Sequence, residues 1–356
     1  MSHFKIFDLV PLEGSIAYSE LAVKAGVSEL RLKPLARMGM TNHLFAEPTP
    51  GFIAHSATSA ALVANPRLAD LRAWLAGIMA PTISSMVTAH ERWPDSTAPN
   101  QTAVNVAFNT DLPMYEYISK QPELHKLFGR VMDAMANSPK SALKHLVNGF
   151  DWAGLGKATV IDVSCPPSTP VHSRHVTRLT PRQIGGNRGH SCVTLANAFP
   201  DLEFIVQDAP HVVEEGTKVI KANNEASIAD RIRFQEYDFF TPQPVQGADV
   251  YLFRQILHNW DLENSVKILK NTVASMSAGS HLLIMDFVVP EPGAVPSVVE
   301  RVLRSRDVDM MQLFNSLERE LEGWRAIVEA TDPRLRINGV KTPYGSSMSV
   351  IDVVLE

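Results

Sequence analysis

Cysteine, long apolar runs and excess positive charge are all scarce in this sequence of 356 residues. Two cysteines cannot build a disulfide framework, and so few are typical of a reducing compartment. No unbroken apolar run approaches the ~18 residues that cross a bilayer, and no charged-then-apolar leader opens the chain. The formal net charge of −5 gives no overall attraction to nucleic acid or acidic membranes. We therefore expect a soluble, cytoplasmic protein without a nucleic-acid or membrane partner.

The first part of the chain has the pattern of two helices followed by a hairpin. "SELAVKAG" and "SELRLKPLARMGMT" each begin with Ser-Glu, which is a helix-start signal. Two short apolar runs around Pro48–Gly51 indicate a hairpin, and this order is typical of a winged helix. Its second helix offers only Arg31, Lys33 and Arg37 as basic residues. We therefore expect residues 1–65 to be a packing or dimerisation domain rather than a DNA reader.

The remaining chain divides at residue 150. Residues 66–150 have the apolar spacing of helices and are expected to form a connecting or substrate-binding region. In residues 151–356, strand-like runs such as "LEFIVQD" and "HLLIMDFVV" alternate with helical stretches, which predicts a parallel sheet covered on both faces. The closing "INGVKTPYGSSMSVIDVVLE" predicts an antiparallel hairpin at the sheet edge. The fold class is therefore α/β, with a Rossmann-like sheet after a winged-helix and helical N-terminal region.

A glycine-rich turn, "GGNRGH" at Gly185–His190, precedes a helix-like segment. Glycines at such a turn let the backbone approach a ligand and leave helix N–H groups free for an anionic group. About twenty residues later, "LEFIVQD" ends in Asp208, an acid placed to accept hydrogen bonds from a ribose diol. The pair predicts a nucleoside-type cofactor, either NAD or S-adenosylmethionine.

The segment Val163–Gln183 interrupts this pattern between the strand and the glycines. It contains four prolines, three arginines, two histidines and no acid, and it has no usable periodicity. Removing it leaves "VIDIGGNRGHSCVTLANAFP", a continuous strand, loop and helix. Two origins stay open: a natural surface insertion, or a translated intron, because Val163-Ser164 can be encoded as GTAAGT and Gln183 as CAG.

"YLFRQILHNWDLENSVKILKN" resembles the "HDW" segment of class I S-adenosylmethionine-dependent O-methyltransferases of the caffeate type. "HFKIFDLVPLEGSI", "GFDWAGLGKATVID" and "FNSLERELEGW" resemble the fungal branch of that family, which is often found in polyketide pathways. The resemblance covers nearly the whole chain apart from the interruption. Family members usually carry further N-terminal helices through which their dimers intertwine, so we expect a truncated chain and a weakened homodimer.

The resemblance implies a role for particular residues. Those expected at S-adenosylmethionine are Gly185, Gly186 and Gly189 at its methionine part, Asp208 at the ribose, Asp238 and Phe239 at the adenine, and the nearby Arg254. Those expected at the reaction are the base His258 and two flanking acids, Asp286 and Glu318. Two positions depart from the family pattern: Asn259 replaces an aspartate, and Asp286 is one carbon shorter than the commoner glutamate.

This set suits methyl transfer to a phenol. A sulfonium methyl is already activated, so the protein must align an oxygen with it and accept that oxygen's proton. A phenol with a pKa of about 10 does not ionise readily at neutral pH, whereas a histidine near ~6.5 can take its proton. A carboxylate beside the imidazole fixes its tautomer and stabilises its charged form. This chemistry needs no metal, and none is expected.

The acceptor site is expected from "RDVDMMQLFN" and "AFNTDLPMYEY". Met310, Met311 and Phe314 would form an apolar surface for a flat aromatic acceptor, with Asn109 and Met114 reaching the same pocket. The resemblance thus implies methylation of a phenolic hydroxyl on an aromatic, polyketide-type secondary metabolite. Two alternatives stay open: a catalytically impaired co-regulator of a fungal biosynthetic cluster, and an NAD-dependent oxidoreductase, which gives no role to the "HNW" segment.

Overall fold

The structure is a computed structural model that describes residues 1–164, 189–223 and 226–356. It separates into two compact units, Met1–Ser84 and Ser85–Glu356. The division into three regions at residues 65 and 150 stays a prediction. Among the described residues, no helix combines the length and the apolar character that a bilayer crossing requires.

The first unit contains six α-helices and a three-stranded antiparallel sheet among its elements. Its helices are α1 (Ile6–Leu9), α2 (Tyr18–Ala25), α3 (Glu29–Met40), α4 (Ala57–Ala64), α5 (Pro66–Trp74) and α6 (Ala80–Ser84), with a π-helical turn at Leu75–Met79. Its strands are β1 (Ile16–Ala17), β2 (Ala46–Thr49) and β3 (Phe52–Ala54), in the order β1-β3-β2. The two helices and the hairpin predicted for this region are present in the predicted order, packed over buried Tyr18, Leu21 and Ile53.

The basic side chains of α3 are largely paired within this unit. Arg37 donates through Nε and Nη2 to both carboxylate oxygens of Glu47 at 2.8 Å, and Lys33 lies 3.4 Å from Glu29. A phosphate backbone would have to compete with these carboxylates for the same cations. The expectation that the unit does not bind nucleic acid stays a prediction, and this pairing supports it.

The second unit holds a mixed sheet with helices before and between its strands. Its described helices are α7 (Met86–Arg92), α8 (Ala103–Ala107), α9 (Met114–Ser119), α10 (Pro122–Ala136), α11 (Lys144–Gly149), α12 (His190–Ala198), α13 (Pro210–Asn223), α14 (Ala226–Ala229), α15 (Leu262–Val273), α16 (Ser297–Phe314) and α17 (Leu321–Thr331). Its strands are β4 (Ala158–Val163), β5 (Leu202–Asp208), β6 (Ile232–Glu236), β7 (Val250–Arg254), β8 (His281–Asp286), β9 (Val288–Val289), β10 (Arg319–Glu320), β11 (Leu335–Lys341) and β12 (Ser349–Leu355).

Seven of these strands form one sheet in the order β11-β12-β8-β7-β4-β5-β6. Strands β4 to β8 are mutually parallel, whereas β12 pairs antiparallel with both β8 and β11. The α/β class, the parallel sheet and the closing hairpin are therefore confirmed. The order of strands reverses between β4 and β7, and open α/β sheets bind their ligands at the carboxyl ends of the strands at such a reversal.

Burial on both faces accounts for the apolar strand sequences. Val160, Leu252 and Leu283 face one side of the sheet, while Ile161 and Phe253 face the other, and all five are fully buried. A strand covered on both sides gains from continuous apolar residues, so its first polar residues mark the places where it leaves the core. In β5, β7 and β8 the last residue of the strand is charged.

Candidate active site

Three charged side chains occupy the carboxyl ends of adjacent parallel strands. Asp208 ends β5, Arg254 ends β7 and Asp286 ends β8. Parallel strands end at the same edge of the sheet, so Asp208, Arg254 and Asp286 all lie at this edge. Asp162, near the end of β4, adds a fourth buried charged group that the sequence analysis missed.

Asp208 is the buried acid that the sequence analysis assigned to a ribose. Its Oδ1 accepts a 2.7 Å hydrogen bond from the backbone N–H of Ala209, whereas its Oδ2 is buried without a partner among the described residues. Burial, with a smaller contribution from Asp162, raises the pKa of Asp208 to about 7. An unpaired buried carboxylate oxygen is costly, so a hydroxyl donor from a bound nucleoside fits this atom.

Of the glycines and the second acid expected at the cofactor, the structure describes Gly189 and Asp238. Gly189 lies at the start of α12 with φ of 77°, a conformation that favours glycine, and an added Cβ would lie 3.2 Å from Phe234. Gly185 and Gly186 lie outside the described residues. Half-buried Asp238 accepts a 3.0 Å hydrogen bond from the N–H of Phe240. Their assigned roles stay predictions.

Phe239 and Arg254 are both anchored within the protein. Phe239 is fully buried and packs edge-to-face against Trp260, with ring centroids 5.8 Å apart, so any contact with adenine requires this packing to open. Arg254 donates through Nη2 to the backbone oxygen of Ser141 at 2.9 Å. Burial lowers the pKa of Arg254, and the charges of Asp162 and Asp286 oppose that effect. Arg254 therefore offsets the negative charge of the sheet edge.

His258 lies on a 3₁₀ turn, Leu257–Asn259, directly after β7. Its Nδ1 is 3.1 Å from Glu318 Oε1 and 3.6 Å from Asp286 Oδ1. These distances favour the tautomer in which Nδ1–H donates to the carboxylates. The other nitrogen, Nε2, has no hydrogen-bond partner in the described part of the chain, and the side chain keeps 11% of its surface exposed. The structure thus brings together the three residues that the sequence analysis grouped as a base and two acids.

The charge state of this group follows from burial and two close acids. Burial lowers the pKa of His258, but the charges of Asp286 and Glu318 outweigh it and raise the pKa to about 9. Burial raises the pKa of the Asp286 carboxyl, which the positive charge of His258 partly offsets. His258 is consequently protonated at neutral pH and strongly basic once it has lost that proton.

A second segment, Ser316–Arg319, holds the backbone of the histidine turn. Ser316 Oγ donates to the backbone oxygen of His258 at 2.5 Å, and Arg319 Nη1 donates to that of Leu257 at 2.8 Å. Arg319 Nη2 also donates to the backbone oxygen of Trp260. Neither Ser316 nor Arg319 was predicted from the sequence as a site residue, although Arg319 directly follows the predicted acid Glu318. Together they fix the turn from which the imidazole projects.

The same three side chains also have the composition of a metal site. Ligand atoms of His258, Asp286 and Glu318 all lie within 4.8 Å of one another. These residues were predicted from the sequence as a base and two acids, without a metal. A buried oxygen on each acid, Asp286 Oδ2 and Glu318 Oε2, has no partner among the described residues. The expectation that the reaction needs no metal stays a prediction and can be tested with a chelator.

The residues expected at the aromatic acceptor fall into two groups. Met114 and Met310 are buried, and Phe314 stacks on Tyr115 with ring centroids 5.1 Å apart. Asn109 and Met311 are exposed, Met311 with 43% of its surface. The sequence pattern suggested that Met310 and Met311 share one apolar face of α16, but only Met310 is buried. Contact of all five with an acceptor stays a prediction.

Comparison with known proteins connects this geometry to a family. Residues 174–332 match the family model described as an O-methyltransferase domain. The O-methyltransferase bik3 of Gibberella fujikuroi is 75% identical over 355 residues, an alignment that covers 100% of this chain and 74% of that protein. The O-methyltransferase pgmB of Aspergillus terreus is 43% identical over 100% of this chain and 94% of its own length.

Solved structures show the same fold at lower identity. OxaC in complex with sinefungin and meleagrin superposes with a TM-score of 0.71 at 22% identity, covering 100% of this chain and 83% of OxaC. This likeness shows the fold alone, whereas the close curated relatives show the family. The chain therefore belongs to the S-adenosylmethionine-dependent O-methyltransferases.

Proposed function

We propose that this enzyme methylates a phenolic hydroxyl of an aromatic, polyketide-type secondary metabolite, with His258 as general base. The observation that carries the proposal is the geometry of the histidine. Its Nδ1 lies between two buried acids, and its Nε2 has no hydrogen-bond partner among the described residues. The phenolic and polyketide character of the acceptor rests on the resemblance of the chain to the fungal branch of its family.

The sheet edge would hold the cofactor through residues that already fit it. When bound, S-adenosylmethionine supplies a methyl group on a positively charged sulfur. The unpartnered Oδ2 of Asp208 would accept a ribose hydroxyl, and the turn at Gly189, which has no side chain, would let the backbone approach the methionine part. These residues bind and orient, so that the acceptor oxygen meets the methyl group in line.

His258 would take the proton of the acceptor as its oxygen is methylated. With a pKa of about 9, the neutral imidazole is close in basicity to a phenolate of pKa about 10, so the proton transfer is nearly balanced. Glu318 and Asp286 stabilise the imidazolium that forms and keep the ring in the tautomer with Nε2 free. The ring must first lose the proton that it carries at neutral pH, or meet an acceptor that is already ionised.

The proposal extends to the acceptor pocket, the cellular compartment and the oligomeric state. Buried Met114 and Met310 and the Tyr115–Phe314 stack would suit a flat ring, because methionine adapts to irregular shapes. We also propose a cytoplasmic, homodimeric enzyme. The co-regulator alternative requires a decayed site, and the intact group of His258, Asp286 and Glu318 argues against it.

Replacing His258 should lower turnover without changing the affinity for the cofactor. His258→Ala should lower turnover by about 10²- to 10⁴-fold, the usual contribution of a general base, and leave cofactor affinity within about twofold. Turnover of wild-type protein should rise from pH 7 towards pH 9, because the imidazole must be neutral to accept a proton. Calorimetry with S-adenosylmethionine and product analysis with 1-naphthol measure the two quantities.

The matched control is another histidine paired with a carboxylate. His281 Nδ1 lies 2.7 Å from Asp352 Oδ1 at the opposite end of β8 from Asp286, and His281→Ala should retain turnover. Undiminished turnover in His258→Ala would reject the role of the base. Loss of turnover in the presence of a chelator would instead assign the three side chains to a metal.

A further inference from the structure

Arg306 is a half-buried cation on the inner face of α16. Leu303, Met310 and Leu313 precede or follow it by three, four and seven residues, and all three are buried. Residues at this spacing share one face of a helix. Arg306 therefore points to the interior of the unit, in contrast to Arg301, which is exposed near the start of the same helix.

The guanidinium of Arg306 lies one aromatic ring away from the base. It sits 4.5 Å from the ring centroid of Phe287, and the same ring is stacked near His258, with centroids 6.4 Å apart and planes inclined by 30°. The charges of Glu318, Asp309 and Asp286 act on Arg306, and its own charge acts on His258. Arg306 is thus a member of the electrostatic group around the catalytic histidine.

Arg306 differs from the other two arginines of this region in its hydrogen bonds. Arg254 and Arg319 each donate to backbone oxygens, and these bonds fix them in place. Arg306 makes no hydrogen bond and no ion pair with any residue in the part of the chain that the structure describes. A guanidinium carries five N–H donors, and the described residues use none of those of Arg306. Its donors are therefore free for a ligand beside the base.

The geometry points to Arg306 as a binding residue for a second oxygen of the acceptor, one that lies next to the hydroxyl that is methylated. This inference rests on the proposed function, because it takes His258 as the site of the reacting hydroxyl. A guanidinium is a planar fork that matches two neighbouring oxygens in one plane. The acceptor class is accordingly a phenol whose hydroxyl has a carbonyl or carboxylate oxygen beside it on the ring system.

Two small phenols with the same rings test the inference. 1-Hydroxy-2-naphthoate carries the neighbouring oxygen pair, and 1-naphthol lacks it. Their affinities for the full chain saturated with S-adenosylhomocysteine are measured by calorimetry. Wild-type protein should bind the naphthoate about 10- to 100-fold more tightly, the effect expected for a charge-assisted hydrogen bond.

Variants of α16 identify the residue responsible. Arg306→Met should remove this preference and leave 1-naphthol affinity within about threefold, whereas Arg306→Lys should keep part of it, because the charge remains and the fork is lost. The surface variant Arg301→Met should behave as wild type. Equal loss of affinity for both phenols in Arg306→Met, or wild-type protein that does not prefer the naphthoate, would overturn the inference.

The readout also separates this inference from the proposed function. Preference is measured by binding, without methyl transfer, so a wild-type protein that prefers the naphthoate but methylates neither phenol would leave the Arg306 assignment standing. Methylation of both phenols with equal affinities would support His258 and reject Arg306. The thermal midpoint of each variant, measured in parallel, shows whether a loss reflects unfolding.

Discussion

Asp208 combines burial with an unsatisfied carboxylate oxygen. Its carboxyl is buried, one oxygen is occupied by a backbone N–H, and the other has no partner in the described residues. Burial and nearby Asp162 raise its pKa to about 7, so this carboxyl is partly protonated near neutral pH. A hydroxyl donor would stabilise the ionised form and pull this pKa down.

Cofactor affinity should therefore depend on the ionisation of Asp208. The group has a raised pKa, so it is protonated below about pH 7, and binding a diol there requires removal of that proton. We expect affinity for S-adenosylhomocysteine to fall about tenfold from pH 8 to pH 6, as measured by calorimetry at each pH. Asp208→Asn cannot ionise and should bind more weakly with a flatter profile. A profile that is equally steep in the variant would assign the titration to another group.

Residue identities at this site were predictable where a polar residue interrupts an apolar pattern. Asp208 and Asp286 each end a buried strand, and His258 stands in a quoted family motif. Side-chain direction was less predictable. Met310 and Met311 are consecutive on a helix and so point about 100° apart, and only Met310 is buried. The sequence alone does not say which of two neighbours faces the core.

At the scale of elements, the site depends on two short segments that meet from distant parts of the chain. The 3₁₀ turn Leu257–Asn259 carries His258, and Ser316–Arg319 carries Glu318 and two donors to that turn. Parallel pairing of β9 with β10, at Val288–Val289 and Arg319–Glu320, brings the end of β8 close to Glu318. This short pairing thus sets the distance between His258 and the two acids.

Arg319 should act on catalysis through the position of the turn. Arg319→Ala removes the hydrogen bonds to the backbone oxygens of Leu257 and Trp260, so the imidazole loses its fixed direction. We expect kcat to fall about 10- to 100-fold with little change in KM for the cofactor, since misplacement of a reacting group costs rate rather than binding. Steady-state kinetics with 1-naphthol measure both parameters.

Conservative and surface variants complete that test. Arg319→Lys keeps the charge and one donor nitrogen and should recover part of kcat, while Arg334→Ala, which removes an exposed ion pair with Asp332, should leave kcat unchanged. An altered pH profile of kcat in Arg319→Ala would point to the histidine, because a general loss of structure lowers activity at every pH. A folded Arg319→Ala protein with wild-type kcat would exclude the positioning role.

The elements themselves were more predictable than their contacts. Alternation of apolar strands with amphipathic helices predicted β4, β5, β7, β8 and the closing hairpin, because burial on both faces imposes continuous apolar runs, whereas β6 was not predicted. The pairing of β9 with β10 involves two residues in each strand. So short a strand has no periodicity to detect, and the contact between Glu318 and His258 was available only from the family motif.

At the scale of the whole molecule, the connection between β4 and α12 is the unusual feature of the chain. In this fold the connection between the first parallel strand and the next helix supplies the ligand loop and is normally short. Here Val163–Gln183 intervenes, and most of that segment lies outside the described residues. Val163 itself is fully buried in β4 and pairs with Gln207 and Phe253.

Deletion of Val163–Gln183 should preserve the sheet and improve cofactor binding. The deletion joins Asp162 to Ile184, so another β-branched apolar residue takes the buried position of Val163, which costs little in packing. The glycines then follow the strand directly, and the shorter loop lowers the entropy cost of closure by about 1 kcal/mol. We expect S-adenosylmethionine to bind the deletion variant at least tenfold more tightly than the full chain in calorimetry.

A length control makes this prediction specific to the connection. A variant with residues 165–183 in scrambled order keeps the spacing between β4 and the glycines, so it should bind as the full chain does if spacing is the cause. Tight binding by the full chain, equal to that of the deletion variant, would contradict the prediction. That result would mean that the inserted residues either leave room for the cofactor or contact it.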